Sequence, residues 1–256
     1  LPFYNEATTK EVSLVSNTVK QSFERYERKY FLTPAQYRLF KERLNLFVKP
    51  DDYPTYTLCN IYYDTDDYRL IRASLEKPMY KEKLRVRSYG VPNADSKIFV
   101  ELKKKYDGVV YKRRITATPL IARSLLNGFK EAEQTSQISN EISYFQQFYR
   151  AQPKVFIAYD REAYKGLDDA DLRITFDTNM RFRLDNLSLQ AGDYGEPIIE
   201  TDRILMEIKI PGVCPLWLSR MLSEFKIYPT SFSKYGECYK RHILNNNKKS
   251  LQRRRF

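Results

Sequence analysis

Residues 81–90, KEKLRVRSYG, and 97–105, KIFVELKKK, decide how the rest of the chain is read. Side chains alternate faces along a strand with a period of two. That spacing puts Lys81, Lys83, Arg85 and Arg87 on one face and Leu84 and Val86 on the other. In the second segment Phe99, Glu101 and Lys103 share a face, opposite Ile98, Val100 and Leu102. Such alternation marks a strand with one buried face, and here the polar face carries cations and a single carboxylate. Two readings stay open at this point. One is a solvated sheet face with Lys and Arg spread along it; the other is a closed barrel whose polar faces converge on an anionic ligand.

Other segments repeat the pattern. Residues 23–31 alternate Arg25, Glu27 and Lys29 against Tyr26, Arg28 and Tyr30, and Val110, Lys112 and Arg114 share a face after the Asp107-Gly108 turn signal. A strand over 153–164 sends Val155, Ile157, Tyr159 and Arg161 one way. Arg173, Thr175 and Asp177 alternate with Leu172, Ile174 and Phe176, and Arg181 and Arg183 continue the basic theme. Near the end, Leu205, Glu207 and Lys209 oppose Ile204, Met206 and Ile208. Between these strands, Thr33-Pro34, Asp64-Thr65-Asp66 and Thr118-Pro119 read as helix starts, and Asp51 to Pro54 as a turn. Further helices are expected over about 138–151 and 215–225, and from Ser233 with Lys234. Each basic face has an apolar opposite face, and amphipathic helices follow to cover it. The expectation is an α+β fold: an antiparallel β-barrel tunnel with a polar, basic interior and helices packed on the outside. Ions taken out of water cost several kcal/mol each, so an interior this cationic must be wet, and removing Arg85 or Arg87 is expected to leave the fold intact or more stable.

The 256 residues carry a formal net charge of +12, which points to a polyanionic partner. Cys59, Cys214 and Cys238 are too few and too scattered for a disulfide framework or a zinc site. A single histidine, His242, removes histidine metal centres and Ser-His-Asp catalysis. No run reaches the ~18 apolar residues that span a bilayer, and the start lacks a signal-peptide pattern. A cytoplasmic domain is expected, at the cytoplasmic face of a membrane if a membrane-protein partner or tether exists beyond this stretch. Residues 1–22 read as an arm or short helix, 23–245 as one domain and 246–256 as a basic tail.

Arg25-Tyr26-Glu27-Arg28-Lys29-Tyr30, Lys83-Leu84-Arg85-Val86-Arg87, Glu101-Leu102-Lys103, Lys112-Arg113-Arg114, Asp160-Arg161, Glu207-Ile208-Lys209 and Ser233-Lys234-Tyr235 occur in this order. The set resembles the VTC domain, the polyphosphate polymerase branch of the triphosphate tunnel metalloenzymes. The resemblance implies transfer of the γ-phosphoryl group of ATP to a polyphosphate chain held in the tunnel, with ATP and inorganic polyphosphate, not nucleic acid, as partners. It implies that Lys29, Arg85, Arg87, Lys103, Lys112, Arg161 and Lys234 grip phosphates, with Lys83, Arg114, Arg173, Lys209 and Arg25 as further candidates. Glu207 is implied as the ligand of Mn²⁺ or Mg²⁺, with Glu27 and Glu101 either joining it or orienting neighbouring lysines. Where many tunnel enzymes begin Glu-x-Glu-x-Lys, this chain has Arg25 in the first position, which weakens a two-metal hydrolase reading. A triphosphatase or nucleotidyl cyclase of the same fold, and a non-catalytic sensor of polyphosphate or inositol phosphates, are the alternatives.

Overall fold

The alternating segments pair into one antiparallel sheet. The computed structural model describes residues 25–107, 109–128, 136–169 and 171–244; the arm and the basic tail lie outside them. In chain order the elements are β1 (Arg25–Leu32), α1 (Pro34–Leu44), β2 (Val48–Asp64), α2 (Arg69–Leu75), β3 (Tyr80–Tyr89), β4 (Ile98–Tyr106) and β5 (Val109–Ala117). Then follow α3 (Pro119–Leu126), α4 (Gln137–Tyr149), β6 (Gln152–Gly166), β7 (Arg173–Arg183), β8 (Glu196–Pro197), β9 (Ile204–Pro211), α5 (Leu216–Glu224), β10 (Pro229–Thr230) and α6 (Lys234–Cys238). The strands run in the order β10-β1-β9-β7-β6-β2-β3-β4-β5, with β8 on β7. The expected turn at Asp51 to Pro54 is instead an irregularity inside β2, where pairing with β6 slips between Pro50 and Thr55.

The sheet curls but does not close, which corrects the expected barrel. Among the described residues no ladder joins β5 to β1 or β10. The free edge of β1 is occupied by β10 through Lys29↔Thr230 and Tyr30↔Pro229. Proline brings no N–H to a ladder, and β10 ends after two residues. Curling nevertheless brings the polar faces together. Lys83 on β3 is within electrostatic reach of Lys29 on β1, and Lys103 on β4 of Glu27 on β1 and Lys209 on β9.

The starts of α1 and α3 follow the capping chemistry. The Thr33 hydroxyl accepts from the Gln36 amide and the Gln36 side chain reaches back, with Pro34 at the first helical position. Thr118 and Pro119 repeat the start at α3. In contrast, α2 begins later than expected, at Arg69 after Tyr68 at φ +58°. The Thr65 and Asp64 side chains accept from its first amides across the intervening turn. Two apolar layers then bury the convex face. Phe40 and Leu44 of α1 and Leu218 and Met221 of α5 cover Ile174, Phe176, Met206 and Ile208. Ala122 and Leu125 of α3 and Ile142 and Phe145 of α4 cover Leu84, Val86, Val100 and Leu102.

A third layer lies on the concave side, which corrects the picture of helices only outside. Leu58, Val155, Ile157, Met180, Phe182 and Leu205 are sealed there by Tyr235 and Cys238 of α6 and by Tyr239 and Ile243 in the π-helical turn after it. Alternation along β6 requires this. Val155 and Ile157 share a face with Tyr159 and Arg161, so part of that face is apolar and needs a cover. Arg181 and Arg183 also depart from expectation. A bulge between Ala158 and Asp160, facing Asn179 at φ +47°, shifts the register and turns both arginines to the convex side. There Arg181 is held by Asp160 and Asp193, and Arg183 lies 3.5 Å from the Phe156 ring centre.

Candidate active site

The charged part of the concave face is built around buried carboxylates. Register pairs Arg85 with Glu101, Glu101 with Arg114 and Lys103 with Lys112 across β3, β4 and β5. Glu101 is 2% exposed and accepts from Arg85 Nε at 2.8 Å, Arg114 Nε at 2.8 Å and Lys112 Nζ at 2.9 Å, with Arg87 Nε 4.0 Å away. Burial alone raises a carboxyl pKa; here Arg85, Arg87 and Lys112 outweigh it and hold Glu101 far below the usual range. The arginines are tied from behind as well. Arg85 Nη1 donates to the Tyr62 hydroxyl at 3.2 Å, and Arg87 donates to Asn60 Oδ1 at 2.8 Å and the Tyr159 hydroxyl at 3.3 Å.

A second cluster stands where β1, β9, β7, β6 and α6 meet. Asp177 is fully buried and takes both ends of the Arg161 fork, at 2.6 and 2.7 Å, and Lys234 Nζ at 2.5 Å. Glu207 accepts from Lys29 at 3.1 Å, Arg161 at 3.2 Å and Lys234 at 3.3 Å. Burial opposes ionisation of Glu207, yet Lys234, Lys29 and Arg161 hold it well below its ordinary pKa. Glu27 lies 2.9 Å from Lys29 and diagonally across the β1–β9 ladder from Glu207.

Between the clusters, Lys81 and Lys83 face other lysines, and among the described residues neither has a carboxylate within salt-bridge distance. Lys83, whose Nζ is 3.4 Å from the Ser233 hydroxyl, is pulled down to about 8 by burial and by Lys81, Lys103 and Lys29. Burial and Lys105 likewise depress Lys81.

The structure thus gathers Lys29, Arg85, Arg87, Lys103, Lys112, Arg161, Lys234, Lys83, Arg114, Lys209, Glu207, Glu27 and Glu101 on one concave face. Arg173 shares this face by register, opposite Lys209, but stands at its rim: its side chain is more than half exposed and lies 3.6 Å from Asp51. The side chain of Arg25 is outside the described residues. Sequence reasoning passed over Asp177, Tyr62, Tyr159 and Asn60 as site residues. The period of two already put Asp177 with Arg173, and Tyr159 with Arg161, but only register shows which cations they meet.

For a divalent metal, Glu27 and Glu207 make a workable but thin donor pair. They share a face, and the charge of Glu207 acts on Glu27. Among the described residues no group of three or more His, Cys, Asp or Glu is placed to hold a metal. Two carboxylates suit Mg²⁺ or Mn²⁺, which usually completes its shell with water and substrate phosphate. Glu101 suits it less, because both of its oxygens already face cations.

Comparison with known proteins adds to this geometry. A family model described as the VTC domain matches residues 24–243. Over 159 residues the chain is 29% identical to vacuolar transporter chaperone complex subunit 4 of Schizosaccharomyces pombe. That match covers 53% of this chain and 22% of the relative, so the chain spans only a small part of its length. Among solved structures, a putative adenylyl cyclase from Hippeastrum, described as having a dominant triphosphatase activity, aligns with a TM-score of 0.50 and 17% identity. It covers 83% of this chain and 93% of its own. A putative adenylate cyclase from Vibrio parahaemolyticus aligns at 0.44 with 11% identity, covering 85% and 98%. The Hippeastrum likeness supports a shared fold, an antiparallel sheet with helices packed on it.

Proposed function

The chain belongs to the VTC domain family, and from that membership we propose that it is a polyphosphate polymerase, transferring the γ-phosphoryl group of ATP to an inorganic polyphosphate chain. The observation that carries this reading is the convergence of cations from β1, β3, β4, β5, β6, β9 and α6 on one curled face. Phosphoryl transfer asks a protein mainly for positioning and charge stabilisation, and arginine forks and lysine point charges supply both. In this reading Lys29, Arg85, Arg87, Lys103, Lys112, Arg161 and Lys234 grip phosphates, helped by Lys83, Arg114 and Lys209. Glu101 and Asp177 serve as counter-ions that keep the arginine and lysine side chains in place while the trough is empty.

The attacking group is a terminal phosphate oxygen of the chain. It bonds to the γ-phosphorus, the bond from that phosphorus to the bridging oxygen breaks, and ADP leaves with the electron pair. The attacking oxygen is already anionic, so no base is required, and the lone histidine has no part to play. Glu207 and Glu27 would hold Mn²⁺ or Mg²⁺, which supplies Lewis-acid polarisation of phosphate oxygens. The partners are ATP and polyphosphate. The S. pombe relative is named as a subunit of a complex, and we place this chain likewise among protein partners at the cytoplasmic face of a membrane.

Incubation with ATP and Mn²⁺ tests the reading. Long, acid-precipitable polyphosphate and ADP are expected; orthophosphate as the main product would make the protein a triphosphatase, and untouched ATP a binding module. For the metal, Glu207→Gln should lose turnover at ordinary Mn²⁺ and regain part of it at high Mn²⁺. Superimposable titration curves for the variant and the wild type would sink the metal assignment.

A further inference from the structure

The inner positions of β3 read Lys81, Lys83, Arg85, Arg87 and Tyr89, and those of β4 read Lys105, Lys103, Glu101 and Phe99. Both strands therefore pass from lysine through the arginine–carboxylate cluster to an aromatic ring. Across the β2–β3 ladder Tyr56 stands on the same face, two residues beyond Leu58, which pairs with Tyr89, and its hydroxyl lies within reach of Arg161. The three rings form a row: Tyr56 and Tyr89 are 5.2 Å apart between centres, and Tyr89 and Phe99 5.7 Å. The Arg114 guanidinium lies over Phe99 at 4.6 Å. Tyr89 is 49% exposed, and Tyr56 and Phe99 are half-buried. A row that only closed the end of a core would be covered, whereas Tyr89 in the middle of this one is half exposed.

We infer that Tyr56, Tyr89 and Phe99 form a stacking wall for the base of a nucleoside triphosphate at one mouth of the trough. The inference rests on reading the trough as a phosphate site, and not on which reaction follows. Tyr89 and Arg85 are four residues apart, about 14 Å at ~3.4 Å per residue. That leaves room for a ribose and a short phosphate chain between the rings and the arginine cluster. The wall gives the trough a direction, with the nucleoside at the aromatic mouth and the lysine end of β3 and β4 left to a ligand made only of phosphate. Stacking on aromatic faces tolerates any base because every base has a π-face, so the wall selects nucleotides as a class.

Affinities for ATP, GTP and inorganic tripolyphosphate, measured by calorimetry without divalent metal, test this on wild type, Tyr89→Leu and Phe99→Leu. Leucine keeps apolar bulk and removes the ring, and a thermal melt on each variant confirms the fold. ATP and GTP should bind about ten-fold more weakly to each variant, the size of one base–aromatic stack, while tripolyphosphate binding stays the same. Equal losses for all three ligands would show that the rings only support the structure, and no loss for any would show that they touch nothing; either overturns the wall. If ATP is selectively weakened in a protein that makes no polyphosphate, the wall stands and the polymerase reading falls. If wild type binds neither ATP nor tripolyphosphate, both fall.

Discussion

Lys83 and Glu101 show how the same charged face stores opposite free energies. Lys83 is pushed down to about 8 by burial and neighbouring lysines, so its charged form is disfavoured in the folded state. Its folded pKa lies below the unfolded value near 10.5, and its penalty is therefore complete below pH 8 and fades as pH rises from 8 towards 10.5. Lys83→Met should raise the melting temperature at pH 7 and lose that advantage near pH 10. A bound polyanion restores the ordinary pKa, so tripolyphosphate binding near pH 9 should take up protons, seen as a buffer-dependent heat that shrinks in Lys83→Met. Glu101 acts the other way. Glu101→Gln leaves Arg85, Arg114 and Lys112 without their buried counter-ion and should cost about 3 kcal/mol, the low end for breaking a buried pair because the partners are partly exposed. Added tripolyphosphate should return part of that stability in a denaturant titration. Alternation alone assigned these residues to one face, but it suggested a crowd of unpaired cations. Arg85 and Arg87 are instead held by Glu101, Tyr62, Asn60 and Tyr159, so their removal is no longer expected to stabilise the fold. A period of two reports the face of a side chain and is silent on its partner across the ladder.

At the scale of elements, the five-residue helix α6 does the most with the least. It carries Lys234 into the Asp177–Glu207 cluster while Tyr235 and Cys238 seal the apolar half of the concave face. Helices this short are not stable alone, and Asp64 anchors this one. Its buried carboxylate accepts from the backbone amides of Leu70 and Ile71 at 2.9 and 3.0 Å and from the Tyr235 hydroxyl at 2.8 Å, joining α2 to α6. Tyr235→Phe should cost about 1.5 kcal/mol or more, as for a buried hydrogen bond to a charged acceptor. It should also weaken tripolyphosphate binding by releasing Lys234, and unchanged affinity at reduced stability would confine Asp64 to a folding role. The long strands and the capped helices were legible because their periods and caps repeat over several turns or residues. The placement of α6 was not, since a short amphipathic segment has the same pattern whether it covers the convex or the concave side. Nor did the pattern reveal the bulge at Asn179, one extra residue that sends Arg181 and Arg183 away from the site.

For the molecule as a whole, electrostatics and topology act together. Binding of long polyphosphate should fall more steeply with salt than binding of ATP, because a longer anion displaces more counter-ions; parallel slopes in a salt titration would argue against a ligand lying along the whole trough. The seam between β5 and the β1–β10 edge matters here, since no backbone hydrogen bond crosses it among the described residues. A sealed pipe admits a thread only by its tip. A split sleeve admits a thread anywhere along its length, as cable enters slit conduit. Polyphosphate with both ends capped by bulky groups should therefore still bind, at an affinity near that of the uncapped chain, whereas a pipe would exclude it. Under the polymerase reading, the same logic lets a growing chain leave sideways in mid-length, without first backing out.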